Sequence, residues 1–349
     1  AAVGGRRRIA WRMAPPTHRR LATAALLALG REVSKTAGEL LGAAILPHGD
    51  FAFDPSLLSG RSTDAALKAA EALMQGSLAA GEFVASLGAD VIVLTTPHGI
   101  ATDRQIAVYG NSEFEGPALV GRDVNASFGD GAMGPGYKVA FQAKGRPDLA
   151  RRLAVEFNAA RANGEATVLS SWADDLPMPL RWGEVLPMRY VAPSGRLEGS
   201  RLLVLSLPTA RQTASGKLKD KMRELGKVLG TMIKNDKLKY ALVVSTDLSH
   251  RHWQNTTFGA HPLAKSFDEG CGQYAATLDW EVLNNQSTFV DAVYSCGWLG
   301  LPILHGVLEG SGHKWEGRLL VPPVSPTYYG MMVSTIHPRS SIVLETVVV

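Results

Sequence analysis

Two short apolar runs in this chain end in the same tripeptide, and that repetition restricts the fold more than any other feature. Ala43-Ala44-Ile45-Leu46 runs into Pro47-His48-Gly49, and Val91-Ile92-Val93-Leu94 runs through two threonines into Pro97-His98-Gly99. Between them, residues 62–87 have helix-forming composition, with Ser62 or Thr63 placed to cap the first turn and Gly88 to close the last. Strand, helix, strand in that order predicts a parallel pair joined by a right-handed crossover. Short unbroken apolar runs read as strands buried on both faces. The predicted architecture is therefore α/β, three layers α/β/α, with a central, mostly parallel or mixed sheet covered on both faces by helices.

A third strand end carries polar residues of the same kind. Ala241-Leu242-Val243-Val244 is followed at once by Ser245-Thr246-Asp247-Leu248-Ser249-His250-Arg251-His252. The carboxyl ends of strands in open α/β sheets face the crevice where ligands bind. A histidine there can exchange protons near neutral pH or bind a metal. One such end reads equally well as a polar turn; three of them form a convergent set. Proline ends a strand ladder because it has no N–H to give, and glycine lets the backbone pass close to a ligand. His48 and His98 are the candidate imidazole ligands, for which Zn, Fe and Cu are the usual metals.

Two histidines need at least one more donor. Cys296 precedes Gly297 at the expected start of an apolar helix, residues 298–308, where a helix N-terminus favours the thiolate. Asp50, Asp54 and Asp247 are near enough in sequence to offer oxygen instead, but aspartate after a strand is more often a cap or turn former. Cys271, within an expected helix, reads as a small buried hydrophobe. His252, His261, His305, His313 and His337 lack the strand-end context, and His18 lies in a basic arm.

The remaining chain fits one large domain, residues 32–349, preceded by an arm, residues 1–31. Of the 349 residues 46% are hydrophobic, no compositional break marks a linker, and two cysteines cannot form a disulfide framework. Helices are expected over 21–42, 148–162, 216–234, 260–277 and, in short pieces, 280–291; strands over 105–109, 185–191, 202–207, 328–336 and 342–349. Residues 110–136 read as a long Gly-, Asn- and Asp-rich loop of the kind that is usually functional or a lid, and 170–183 as a loop bearing Trp172 and Trp182. The arm holds seven arginines and no acid before Glu32. Such a segment resembles an organellar transit peptide, which implies a mitochondrial protein with a cytoplasmic one as the alternative; it also suits docking on RNA or an acidic protein surface. The net charge of +4 is too small to assign the whole chain a nucleic-acid partner, and Leu21 to Leu29 is too short to span a bilayer, so no membrane span is expected.

Taken together, Pro47-His48-Gly49, Pro97-His98-Gly99, the run Asp247-Leu248-Ser249-His250-Arg251 and Cys296-Gly297 before a helix resemble the class III extradiol ring-cleaving dioxygenase superfamily, from about residue 43 to the last strand. The resemblance implies one divalent metal ion, Fe(II) first, held by His48 and His98. It also implies that His250 is the acid/base residue and that the substrate is a small aromatic diol. That family places a glutamate where this chain has Cys296, and in this respect the chain is similar to the Memo-like branch. Thiolate in place of carboxylate softens the site towards Zn or Cu. Three functions follow as expectations: a metal-dependent oxidoreductase; a Memo-like metal-binding protein with a redox or scaffold role; and a catalytically idle homologue recruited as a structural component of a larger assembly.

Overall fold

The computed structural model describes residues 38–103, 105–122, 136–161, 166–169, 176–208 and 211–339. The basic arm, Trp172 and the strand expected at 342–349 lie outside the described residues. In chain order the strands are β1 (Glu39–Leu46), β2 (Val91–Thr96), β3 (Ile106–Tyr109), β4 (Glu113–Val120), β5 (Tyr137–Lys144), β6 (Ala166–Leu169), β7 (Met178–Pro179), β8 (Arg201–Ser206), β9 (Lys239–Ser245), β10 (Trp315–Val324) and β11 (Met331–Pro338). The helices are α1 (Asp50–Phe53), α2 (Asp64–Ser86), α3 (Pro147–Arg161), α4 (Trp182–Val191), α5 (Arg211–Lys234), α6 (Ala264–Thr277), α7 (Trp280–Gln286), α8 (Val290–Val293) and α9 (Gly300–Ser311), with a 3-10 turn at Pro55–Leu58.

Eight strands form one mixed sheet in the order β10-β11-β1-β9-β2-β8-β3-β6. Its centre, β1-β9-β2-β8, is parallel, while β11 and β3 join it antiparallel on either side. Side chains alternate between its two faces, as the strand period requires. Ile45, Val91, Val93, Leu242 and Val244 pack with α3, α5, α6 and α9, whereas Ala44, Leu46, Ile92, Leu94, Ala241 and Val243 pack with α2 and α4. These are the three layers read from the apolar runs.

Helix α2 shows how the sequence builds a layer. Leu73, Ala80 and Val84 recur at helical spacing on its buried face, and the Thr63 hydroxyl accepts the Ala66 N–H at 3.2 Å. Such a cap contributes about 1 kcal/mol, and burying a side chain such as Leu73 about 2 kcal/mol.

Several expectations change. Strands β1 and β2 are not neighbours: β9 lies between them and pairs with both in parallel. β1 starts at Glu39, where helix was expected to continue to residue 42. The segment 185–191, expected as a strand, belongs to α4 despite Pro187 in its interior. The long loop expected over 110–136 contains β4, which pairs with β5 and β7 in a second, three-stranded sheet. Strand β10, an edge strand, was hidden by Pro322 and Pro323, which an edge tolerates because one side of its ladder is unpaired.

Candidate metal centre

The three polar strand ends lie side by side because β9 separates β1 from β2. Leu46 is level with Ser245, and Thr95 with Val244, so the residues that follow each strand leave the sheet at the same height. The rings of His48 and His98 then meet edge to face, with centroids 4.7 Å apart. Cys296 arrives from the other side, on the turn between α8 and α9. Tyr294, the left-handed cap of α8 (φ 54°), reverses the chain, and the Gly297 N–H bonds the Asp247 carbonyl at 3.2 Å. Cys296 thus sits a turn ahead of α9 rather than within its first residues.

The Cys296 Sγ lies 3.3 Å from His48 Nε2, and one donor atom from each of His48, His98 and Cys296 lies within 4.8 Å of the other two. Donors around a tetrahedral ion, at bond lengths of about 2.0–2.3 Å, are about 3.3–3.8 Å apart, so a small contraction would complete such a shell. His48 and Cys296 are buried, and His98 is partly exposed. The residues present therefore suit a metal ion with one face open.

Neighbours fix the two rings. The Ser245 hydroxyl donates to the Gly183 carbonyl at 2.6 Å and stands 2.9 Å from His48 Nδ1. With its hydrogen committed, the hydroxyl accepts from His48 Nδ1–H, which leaves the Nε2 lone pair facing Cys296. The His98 ring stacks on Trp182, centroids 4.6 Å apart and planes 29° apart. The tripeptide glycines serve close packing against protein rather than ligand. A Cβ on Gly49 would meet Tyr329 Cε2 at 2.4 Å, and one on Gly99 would meet the Ser206, Tyr109 and Glu184 side chains within 2.6 Å.

The aspartates take the roles expected of turn formers. Asp247 Oδ1 accepts the His48 backbone N–H at 3.1 Å, its Oδ2 lies 3.4 Å from His48 Nε2, and burial pushes its carboxyl up to about 8. Asp50 accepts the Gly121 N–H at 2.7 Å, and Asp54 caps the 3-10 turn. Cys271 is buried in the core, where desolvation raises its thiol pKa. The other described histidines have local partners. His252 pairs with Asp268 at 2.8 Å, His337 with Thr335 at 2.9 Å, and His305 packs on Trp280.

His250 faces the same cavity, a space of about 710 Å³ also lined by His48, His98 and Cys296. Its Nδ1–H goes to the Leu248 carbonyl at 3.0 Å, and its ring stacks on Tyr329 at 5.6 Å with Phe258 and Tyr328 edge-on. Burial pulls its pKa down to about 4, against the carbonyls of Leu248 and Tyr294, which favour the protonated ring. The imidazole is neutral at neutral pH. Trp182, Tyr294, Arg122 and Arg181 also line the cavity. Sequence reasoning passed over Ser245, Gly183 and the Tyr328-Tyr329 pair. The only signals for them were a hydroxyl at a strand end and two adjacent tyrosines.

No curated protein matches the chain. Among solved structures it is similar to the uncharacterized protein JW3007 from Escherichia coli K12, at 18% identity and a TM-score of 0.46, covering 84% of this chain and 99% of that one. The family model described as the catalytic LigB subunit of aromatic ring-opening dioxygenase matches residues 52–322. The stretch holding His98, His250 and Cys296 is thus that of the class III extradiol enzymes, and the chain belongs to this LigB dioxygenase family.

Proposed function

We propose that the protein is a metal-dependent oxidoreductase acting on a small aromatic diol, with the ion held by His48, His98 and Cys296 and with His250 as acid/base residue. The observation that carries this reading is the three-donor cluster in a cavity whose wall presents a neutral imidazole among aromatic rings. When bound, the ion supplies Lewis acidity and open coordination positions. Everything else falls to the chain. Trp182, Phe258 and Tyr328 offer faces and edges against which a substrate ring can pack. His250 is uncharged and holds Nδ1–H on a carbonyl, so its Nε2 is the atom that takes a hydroxyl proton and later returns it. A cavity of about 710 Å³ falls within the usual size range of small-molecule sites and has ample room for such a ring.

The sulfur favours a second reading of the same site. A thiolate beside two imidazoles is a softer donor set than two imidazoles and a carboxylate, and it suits Zn or Cu in a Memo-like redox or binding role. One experiment separates the two. The protein is purified without oxygen, its metal content is measured, and the measurement is repeated on His48→Ala and Cys296→Ala. Loss of metal in both supports the site; equal metal in all three proteins refutes it. Catechol with added Fe(II), once dioxygen is admitted as the oxidant, then gives a yellow ring-opened product if the chain is a ring-cleaving enzyme. Metal retained without turnover favours the second reading.

A further inference from the structure

Helix α4 contains a proline five residues after its start, and the consequence reaches the metal centre. In an α-helix the N–H of residue 187 would bond the carbonyl of residue 183. Pro187 has no N–H, so the Gly183 carbonyl loses its helical partner. A buried carbonyl without a partner is costly, and here the Ser245 hydroxyl takes the place of that N–H at 2.6 Å. Ser245 is fully buried at the end of β9, level with Leu46, two residues before His48. Its single hydrogen is spent on Gly183, so towards His48 Nδ1, 2.9 Å away, it can only accept.

We infer that Pro187 and Ser245 are positioning residues that set the tautomer of His48: the carbonyl freed by Pro187 orients the Ser245 hydroxyl, which holds the hydrogen of the neutral ring on Nδ1 and leaves Nε2 as an acceptor facing Cys296. The same helix end governs the second histidine. Trp182 stacks on the His98 ring, and a Cβ on Gly183 would meet His98 Cβ at 2.7 Å, so this backbone abuts one histidine and bonds the relay to the other. The helix end is itself clamped. Glu184 accepts the Arg181 backbone N–H at 2.9 Å and the Tyr109 hydroxyl at 3.0 Å, and Tyr109 in turn accepts the Ile100 N–H at 2.8 Å. One short segment, 181–184, therefore aligns both imidazoles. The inference rests on the proposed metal site for its purpose, but the tautomer it specifies belongs to the metal-free chain.

The test uses the full chain and two readouts. Nitrogen-15 NMR of the neutral His48 ring in the metal-free protein reports which nitrogen carries the hydrogen. The expected result is hydrogen on Nδ1 in the wild type and a shift towards Nε2 in Ser245→Ala. Titration with Co(II) reports affinity and, through its visible spectrum, the donor set. Ser245→Ala is expected to bind Co(II) about 10–100-fold more weakly, the usual effect of removing a partner of a ligating histidine. Pro187→Ala restores an N–H that competes for the Gly183 carbonyl, so it is expected to show the same change in smaller measure while keeping the helix. Hydrogen on Nε2 in the wild type overturns the inference. So does a folded Ser245→Ala with unchanged tautomer and affinity. If the wild type binds no Co(II) yet the tautomer shifts in Ser245→Ala, the relay stands and the metal reading falls.

Discussion

Replacing His250 with glutamine should change how stability depends on pH, by an amount set by the depth of the cavity. Burial among Tyr328, Tyr329 and Phe258 lowers the imidazole from 6.5 to about 4. At this position the unfolded chain takes up a proton as pH falls through 6.5, and the folded chain does not until about pH 4, so the contribution of His250 to stability is full above 6.5 and is lost across that window. The whole interval corresponds to about 3 kcal/mol, and the part between pH 7 and pH 5 to about 2 kcal/mol. His305 is likewise held near 4, and His337 is lowered, but both remain in the variant and cancel in the comparison. Urea unfolding of wild type and His250→Gln at the two pH values measures the difference. The variant should lose about 2 kcal/mol less than wild type on going to pH 5, with an unchanged m-value. Equal losses, or a His250 ring that titrates near 6.5 by NMR, would show that the cavity does not hold a neutral base. The proposed proton-acceptor role would then lose its physical footing.

Other perturbations probe the frame of the site. Gly297→Ala places a Cβ 2.0 Å from Thr246 Oγ1 and 2.3 Å from Thr246 Cα, so the Cys296 turn must shift from its present position. We expect a loss of about 2 kcal/mol or more in stability together with weaker metal binding; retention of both would mean the turn has slack. Trp182→Ala removes the ring stacked on His98 from a side chain that is 40% exposed, so stability should change by less than about 1 kcal/mol while Co(II) affinity falls. A large drop in the urea midpoint would assign Trp182 to the core instead. Burial raises Glu184 from 4.5 to about 7, so the contribution of this carboxyl to stability is fully present below 4.5 and is lost as pH rises towards 7. Glu184→Gln should therefore gain about 2 kcal/mol relative to wild type between pH 5 and pH 7, and parallel stability curves would contradict a buried carboxyl with a raised pKa.

Much of the fold could be read from local pattern. Runs such as Val91–Leu94 carry no polar break, and only a sheet covered on both faces accepts them, which is where α2, α4, α5 and α9 lie. Strand order was not legible, because pairing depends on which helices cross which face rather than on any one strand. The parallel pair expected between β1 and β2 proved to be a parallel triplet with β9 inserted. That insertion brings His48, His98 and the Asp247–His250 run to one edge, so the error in neighbours concealed the reason the three ends converge. Cys296 was legible as a candidate from its glycine and the apolar helix after it, although the sulfur is placed by the bond from Gly297 to Asp247 rather than by the helix itself.

The supports of the site were misread for a reason that also explains their action. Val185-Leu186-Pro187-Met188-Arg189-Tyr190-Val191 is apolar and carries a proline, which argues against helix on propensity alone. The segment is helical because Val185, Leu186, Met188 and Tyr190 are buried, with Glu184 locking its first turn onto Arg181 and Tyr109. Tertiary packing outweighs the roughly 3 kcal/mol that an interior proline costs. The cost is also smaller here than in an isolated helix, since the carbonyl left without its N–H is bonded by Ser245. A proline that looks like a flaw in the helix thus meets a serine that looks like an ordinary strand end. Each accounts for the other only when the histidine between β1 and Cys296 is considered with them.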